Sequence, residues 1–274
     1  MRGNIAPGVD FTPQVFAQRL GDGIGNITFN SFKKLGAATV GTVAACRHGK
    51  LRNGRLDRRG TCYSVAGIST TAERCLMQLE NGWIVGATRV LSPHCDRRPD
   101  DEPPSLLVIH NISLPPGEFG GPYIDQLFTG TLDPAQHPYF ADIHQLRVSA
   151  HCLIRRDGAI VQYVPFDQRA WHAGVSLYQG RDRCNDFSIG IELEGTDQLP
   201  YTEAQYRTLQ AVTVLLAEHY PPLASNIAGH CDIAPGRKTD PGPAFDWDRY
   251  LASLEQRGAP ADAMLETRKR ERNR

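Results

Sequence analysis

The chain contains no stretch of eighteen apolar residues, which excludes a transmembrane helix. Its 7 cysteines (Cys46, Cys62, Cys75, Cys95, Cys152, Cys184 and Cys231) include no C-x-x-C pair. An odd, scattered set of this kind is the usage of buried thiols in a reducing compartment, not of a disulfide framework. Net charge is also lacking, since 30 Lys and Arg balance 30 Asp and Glu. The balance conceals an asymmetry. Residues 1–76 hold 11 basic against 4 acidic side chains, and residues 77–274 hold 19 against 26. An acidic main body excludes the basic footprint of a nucleic-acid binder. What remains is 274 residues with 41% hydrophobic content, enough for one generous domain with a real core.

Residues 1–76 differ in texture from the rest. They are rich in Gly, Thr, Arg and Asn, and their one mildly apolar run, 35–46, ends on Cys46. That run matches a lipoprotein signal poorly, because the preceding region is over thirty residues long and the apolar core is feeble. We read 1–76 as an extension that is either poorly ordered or not translated, with translation starting at Met77. Residues 77–256 are expected to form the functional domain, and 257–274 a solvated charged tail.

Within 77–256, Leu106-Leu107-Val108-Ile109-His110 reads as a strand buried on both faces. Segments 152–156 and 159–164 flank Asp157-Gly158, a hairpin signal. Residues 187–194 alternate, with Ile189, Ile191 and Leu193 on one face and Gly190, Glu192 and Glu194 on the other. A helix starts at Thr202, answered by Gln205 in a capping box, and carries Tyr206, Leu209, Val212 and Leu216 as its apolar stripe. Shorter helices are expected at 122–128 and 246–254. The fold class is therefore α/β, a central mixed sheet flanked by helices.

The chemistry concentrates in residues 229–242, GHCDIAPGRKTDPG, where His230, Lys238 and Asp240 sit in a Gly- and Pro-rich loop outside regular structure. Lys238 and Asp240, two apart, leave one face of an extended segment. His110, at the end of its strand, supplies a third ligand to His230 and Asp240. Two imidazoles and one carboxylate are a recurring catalytic zinc set that leaves a position for water. Glu192 is the candidate general base, although Glu192 and Glu194 could equally share a solvated sheet face. Lys238 would face a developing oxyanion. Trp171 and His172 suit either a substrate cleft or the core. His151 ranks lower, His94, His137, His144 and His219 look like surface or loop residues, and Cys231 points away from its neighbour His230.

Four segments together resemble the zinc-dependent N-acetylmuramoyl-L-alanine amidases, and within them the cytoplasmic AmpD type. They are VIHNISLPPG from Val108, RAWHAG from Arg169, NDFSIGIE from Asn185 and the 229–242 loop. The resemblance covers about 77–254 and implies a fold shared with peptidoglycan recognition proteins. It implies that His110, His230 and Asp240 bind one Zn2+, that Glu192 is the catalytic carboxylate, and that Lys238 stabilises the transition state. The implied reaction cleaves the amide between muramic acid, in its 1,6-anhydro form, and L-alanine during cell-wall recycling. Asn111, Arg147 and Arg183 join Trp171 as implied substrate contacts, the guanidinium groups suiting carboxylates. The implied enzyme is a cytoplasmic monomer whose partner is an anhydromuropeptide, with no membrane or nucleic-acid partner. Residues 1–76 have no counterpart in the family. The alternatives are a non-catalytic peptidoglycan-recognition module, or an exported amidase acting on intact wall.

Overall fold

The computed structural model describes residues 77–255. The expected extension at 1–76 and the tail at 257–274 lie outside the described residues. Six strands form the central sheet, in the order Ile227–Gly229, Leu106–Ile112, Ser188–Glu194, Cys152–Ile154, Ile160–Gln162 and Thr88–Arg89. All neighbours run parallel except Cys152–Ile154 and Ile160–Gln162, which the Asp157-Gly158 turn joins as an antiparallel hairpin. The sheet is mixed, as the sequence indicates.

Alternation along the two central strands sends side chains into two separate layers. Leu107, Ile109, Ile189, Ile191 and Leu193 pack with Leu209, Val212 and Leu216 of the Glu203–His219 helix and with Tyr250, Leu251 and Leu254 of the Trp247–Glu255 helix. Each such buried side chain contributes roughly 1.5–3 kcal/mol. The helix starts where its cap dictates. Gln205 N donates to Thr202 Oγ1 and Thr202 N to Gln205 Oε1, each at 3.1 Å. Gln205 Nε2 also donates to the carbonyls of Ile154 and Glu194, fastening the helix start to two strands.

On the other face, Leu106, Val108, Ala228, Ala173 and Ile233 form one small core. Ile124, Leu127, Phe128, Phe140 and Ile143 pack over Leu153, Val161 and Tyr163 in another. This second layer is built by the short helices Tyr123–Thr129 and Phe140–Ile143; the first was expected at 122–128, and the second lacks the length to show a period. All seven residues of the Ser188–Glu194 strand are buried, its polar face included, where the His172 ring lies against Gly190 and Glu194 accepts from Gly120 and Arg155. The option of a solvated Glu192–Glu194 face is thereby removed.

Behind the sheet, Arg98 is 3% exposed, its guanidinium donating to the carbonyls of Asn185, Asp186, Phe166 and Ser188. Burial pushes it down to about 10.

Candidate metal and active site

Parallel strands deliver their carboxyl ends to one rim, where open α/β sheets place ligands. The Leu106–Ile112 strand carries His110, and the neighbouring Ser188–Glu194 strand carries Glu192 directly opposite it in register. The third strand, Ile227–Gly229, ends immediately before His230. The 229–242 segment differs from the loop expected of it, because His230–Ile233 forms one helical turn. That turn aims His230 back toward the sheet. Cys231 N donates to the carbonyl of Asp240 at 2.9 Å, and Tyr201 Oη donates to the carbonyl of Pro241 at 2.7 Å, holding the far end of the segment beside its start.

The result is a convergent triad. His110 Nδ1 lies 3.0 Å from His230 Nδ1 and 3.0 Å from Asp240 Oδ2, and His230 Nδ1 lies 3.1 Å from the same oxygen. Among the described residues these three form the one His/Cys/Asp/Glu group able to hold a metal ion. A tetrahedral ion with bonds of about 2.0 Å separates its ligand atoms by roughly 3.3 Å, so the triad has the dimensions of one face of such a site. The imidazoles are 1% and 4% exposed. Burial and the adjacent His230 push His110 down to about 4, so at neutral pH it is an uncharged imidazole fit to ligate.

Glu192 is 8% exposed, and its Oε2 is buried with no hydrogen-bond partner. Burial, reinforced by Asp240, pushes its carboxyl well above the ordinary range, and Lys238 opposes the shift. Such a carboxyl holds a proton more readily than an exposed one, which suits a group that must take a proton and give it back. Both Glu192 and Lys238 line a cleft of about 390 Å³ together with the triad, Asn111, Trp171 and His172. Its far wall is apolar, formed by Leu114, Leu127, Phe128, Tyr139 and Ile143.

The remaining candidates are placed unevenly. Asn111 reaches the cleft, where its Nδ2 donates to Asp197 Oδ1 at 2.8 Å. Trp171 also reaches it, its indole N–H held by Asp96 Oδ1 at 3.1 Å and its ring stacked on His94 at 6.1 Å. Arg147 is exposed, and neither it nor Arg183 lines the cleft. Arg183 Nε instead pairs with Asp186 at 3.2 Å. His151 is a core residue: its Nδ1 accepts from Gly190 N–H, and its Nε2–H donates to the Gln168 carbonyl. Burial, with Arg98 nearby, pushes it down to about 3. Sequence reasoning missed Asp197 and the apolar wall, which are brought to the cleft by long-range packing. Four of the described cysteines form no disulfide, and no described helix is long and apolar enough to cross a membrane.

Comparison with known proteins bears on the family. The family model described as N-acetylmuramoyl-L-alanine amidase matches residues 100–243. The chain is 76% identical over 174 residues to the 1,6-anhydro-N-acetylmuramyl-L-alanine amidase AmpD of Escherichia coli K12, spanning 64% of this chain and 95% of that protein. It is 56% identical over 183 residues to the Haemophilus influenzae protein of the same name, spanning 66% of this chain and all of that protein. A crystal structure of a selenomethionine AmpD derivative superposes with a TM-score of 0.64 at 73% identity, covering 65% of this chain and 99% of that one. With the fold, the order of motifs and the matched span in agreement, this chain belongs to the N-acetylmuramoyl-L-alanine amidase family.

Proposed function

We propose that the chain is a zinc-dependent hydrolase that cleaves the amide between the lactyl carbonyl of 1,6-anhydro-N-acetylmuramic acid and L-alanine in muropeptides released during wall turnover. The observation that carries the reading is Glu192: a buried carboxyl with an unpartnered oxygen, in register beside His110 and facing the cleft. Identity of 76% to a protein named for this activity supports the substrate. His110, His230 and Asp240 would hold the ion. Bound there, Zn2+ supplies Lewis acidity that acidifies a water and polarises the scissile carbonyl.

The chain's own groups then divide the work. Glu192 takes a proton from the attacking water as its oxygen bonds to the carbonyl carbon. It returns that proton to the alanine nitrogen as the C–N bond breaks, leaving a free carboxylic acid and a free amine. The Lys238 ammonium, at the cleft, opposes negative charge growing on the carbonyl oxygen. The apolar wall excludes bulk water, which strengthens both effects. Trp171 offers an aromatic face to the sugar or peptide. We read the enzyme as cytoplasmic and residues 77–256 as the working domain; the family model matches 100–243 within it, and two of the relatives are covered over 95% and 99% of their own length.

The test combines metal analysis of the purified chain with release of the L-alanine peptide from anhydromuropeptide. Equal activity before and after chelator treatment would overturn the zinc assignment. A chain begun at Met77 is expected to keep full activity.

A further inference from the structure

The triad's two imidazoles each turn Nδ1 inward, and what fixes their outer nitrogens lies on a single short segment. His110 Nε2 is 2.9 Å from His172 Nδ1, and His172 Nε2 is 3.1 Å from Ser188 Oγ. His230 Nε2 is 3.1 Å from the carbonyl of Ala173, the next residue. We infer that His172 and Ala173 are positioning residues that hold both ligand imidazoles as Nε2–H tautomers with their Nδ1 lone pairs aimed at one point. The inference rests on the metal reading above.

Metal ligation through both Nδ1 atoms selects one hydrogen-bond assignment. A carbonyl only accepts, so His230 must carry its proton on Nε2 and leave Nδ1 bare. With its Nδ1 lone pair given to the metal, His110 carries its proton on Nε2, and His172 Nδ1 accepts it once the His172 proton sits on Nε2 and is donated to Ser188 Oγ. The His110 and His172 rings meet edge to face, 5.0 Å apart at 86°, which suits an N–H directed at a lone pair. An outer partner that fixes tautomer and ring orientation is how proteins raise the basicity of a ligating imidazole.

The segment is itself clamped. The backbone N–H groups of His172 and Ala173 both donate to Asn185 Oδ1, at 3.0 and 2.8 Å. Arg237 Nη2 donates to the carbonyls of Ala173 and Val175, at 2.8 and 2.6 Å. Space for the His172 ring comes from Gly190, where a Cβ would stand 2.4 Å from His172 Cγ. Because His172 meets His110 and Ala173 meets His230, one clamped segment serves both imidazoles.

The test uses three variants of the full chain and two readouts. H172L removes the acceptor, H172N restores one at the place of Nδ1, and N185A loosens the clamp without touching either imidazole. Zinc affinity, by competition with a chelating dye, is expected to fall about 10- to 100-fold in H172L, to recover to within severalfold of wild type in H172N, and to fall less in N185A. Nitrogen NMR of the zinc-free chain is expected to show Nε2–H at both His110 and His230, with mixed tautomers appearing at His110 alone in H172L. Should H172L fail to fold, N185A and the wild-type tautomers decide the matter. Unchanged affinity in folded H172L, or an Nδ1–H tautomer at His110 or His230 in the wild type, would overturn the inference. A wild-type chain that binds no zinc would instead defeat the metal reading and leave the tautomer readout standing.

Discussion

Glu192 and Glu194 leave the same strand two residues apart, on the same face, 8% and 2% exposed, and they end in opposite circumstances. Glu194 is saturated. It accepts from Gly120 N at 2.7 Å, Arg156 N at 3.1 Å and Arg155 Nη1 at 3.3 Å, while Arg155 also reaches Asp125 at 2.9 Å. Glu192 has an oxygen with no partner at all. A buried polar atom left unmatched costs about 1–3 kcal/mol, so its persistence asks for a reason other than stability. The difference teaches how one strand serves two ends. Its last residue ties the flanking loop and the Tyr123–Thr129 helix to the sheet, and the residue two earlier is kept idle for proton transfer.

The comparison can be broken in graded ways. Glu192→Gln keeps the shape and removes the base; turnover is expected to fall about 10²- to 10⁴-fold in steady-state assays with the fold intact. Glu194→Leu does the reverse. It takes the acceptor from two N–H groups and leaves Arg155 only Asp125 as a carboxylate partner, and urea unfolding should show a loss of about 3 kcal/mol, far beyond any change from Glu192→Gln. Lys238→Ala should lower kcat about 10²-fold with a smaller change in KM.

The pH dependence sharpens the same contrast. Glu192 must be ionised to accept a proton, and its carboxyl is raised by burial and by Asp240 against the pull of Lys238. Removing Lys238 withdraws the opposing influence, so the acid limb of the pH–rate profile should move to higher pH in Lys238→Ala. For stability the sign is also fixed. A carboxyl whose folded pKa lies above its unfolded value favours the fold fully below about 4.5 and loses that contribution as pH rises through the folded value. Thermal melts of the metal-free chains should thus show Glu192→Gln gaining on wild type between acidic and neutral pH, and a constant offset would refute the assignment. The smallest effect is expected from Thr202→Ala, about 1 kcal/mol from the lost cap, with kcat unchanged.

Much of this was legible in the sequence where the signal is local. The apolar run closing on His110, the Asp157-Gly158 turn and the Thr202–Gln205 cap each depend on neighbours within a few residues. The candidate triad was legible because one segment supplies two members and the close of an apolar run the third, although the strand expected to end at His110 continues to Ile112. Burial of Glu192 was not, since it depends on helices and loops distant in the chain covering that face. The service of His172 to His110 was hidden for a similar reason: it needs the ring of one segment to lie over Gly190 of another. Asn111 and Trp171 reach the cleft, whereas Arg147 and Arg183 point elsewhere, and no spacing rule separates those pairs.

The void at Gly190 also shapes what descendants of this chain can become. Any side chain there collides with the His172 ring, while trimming His172 alone opens a gap beside His110. A larger residue at position 190 therefore requires a smaller one at position 172, so the two positions form an epistatic pair.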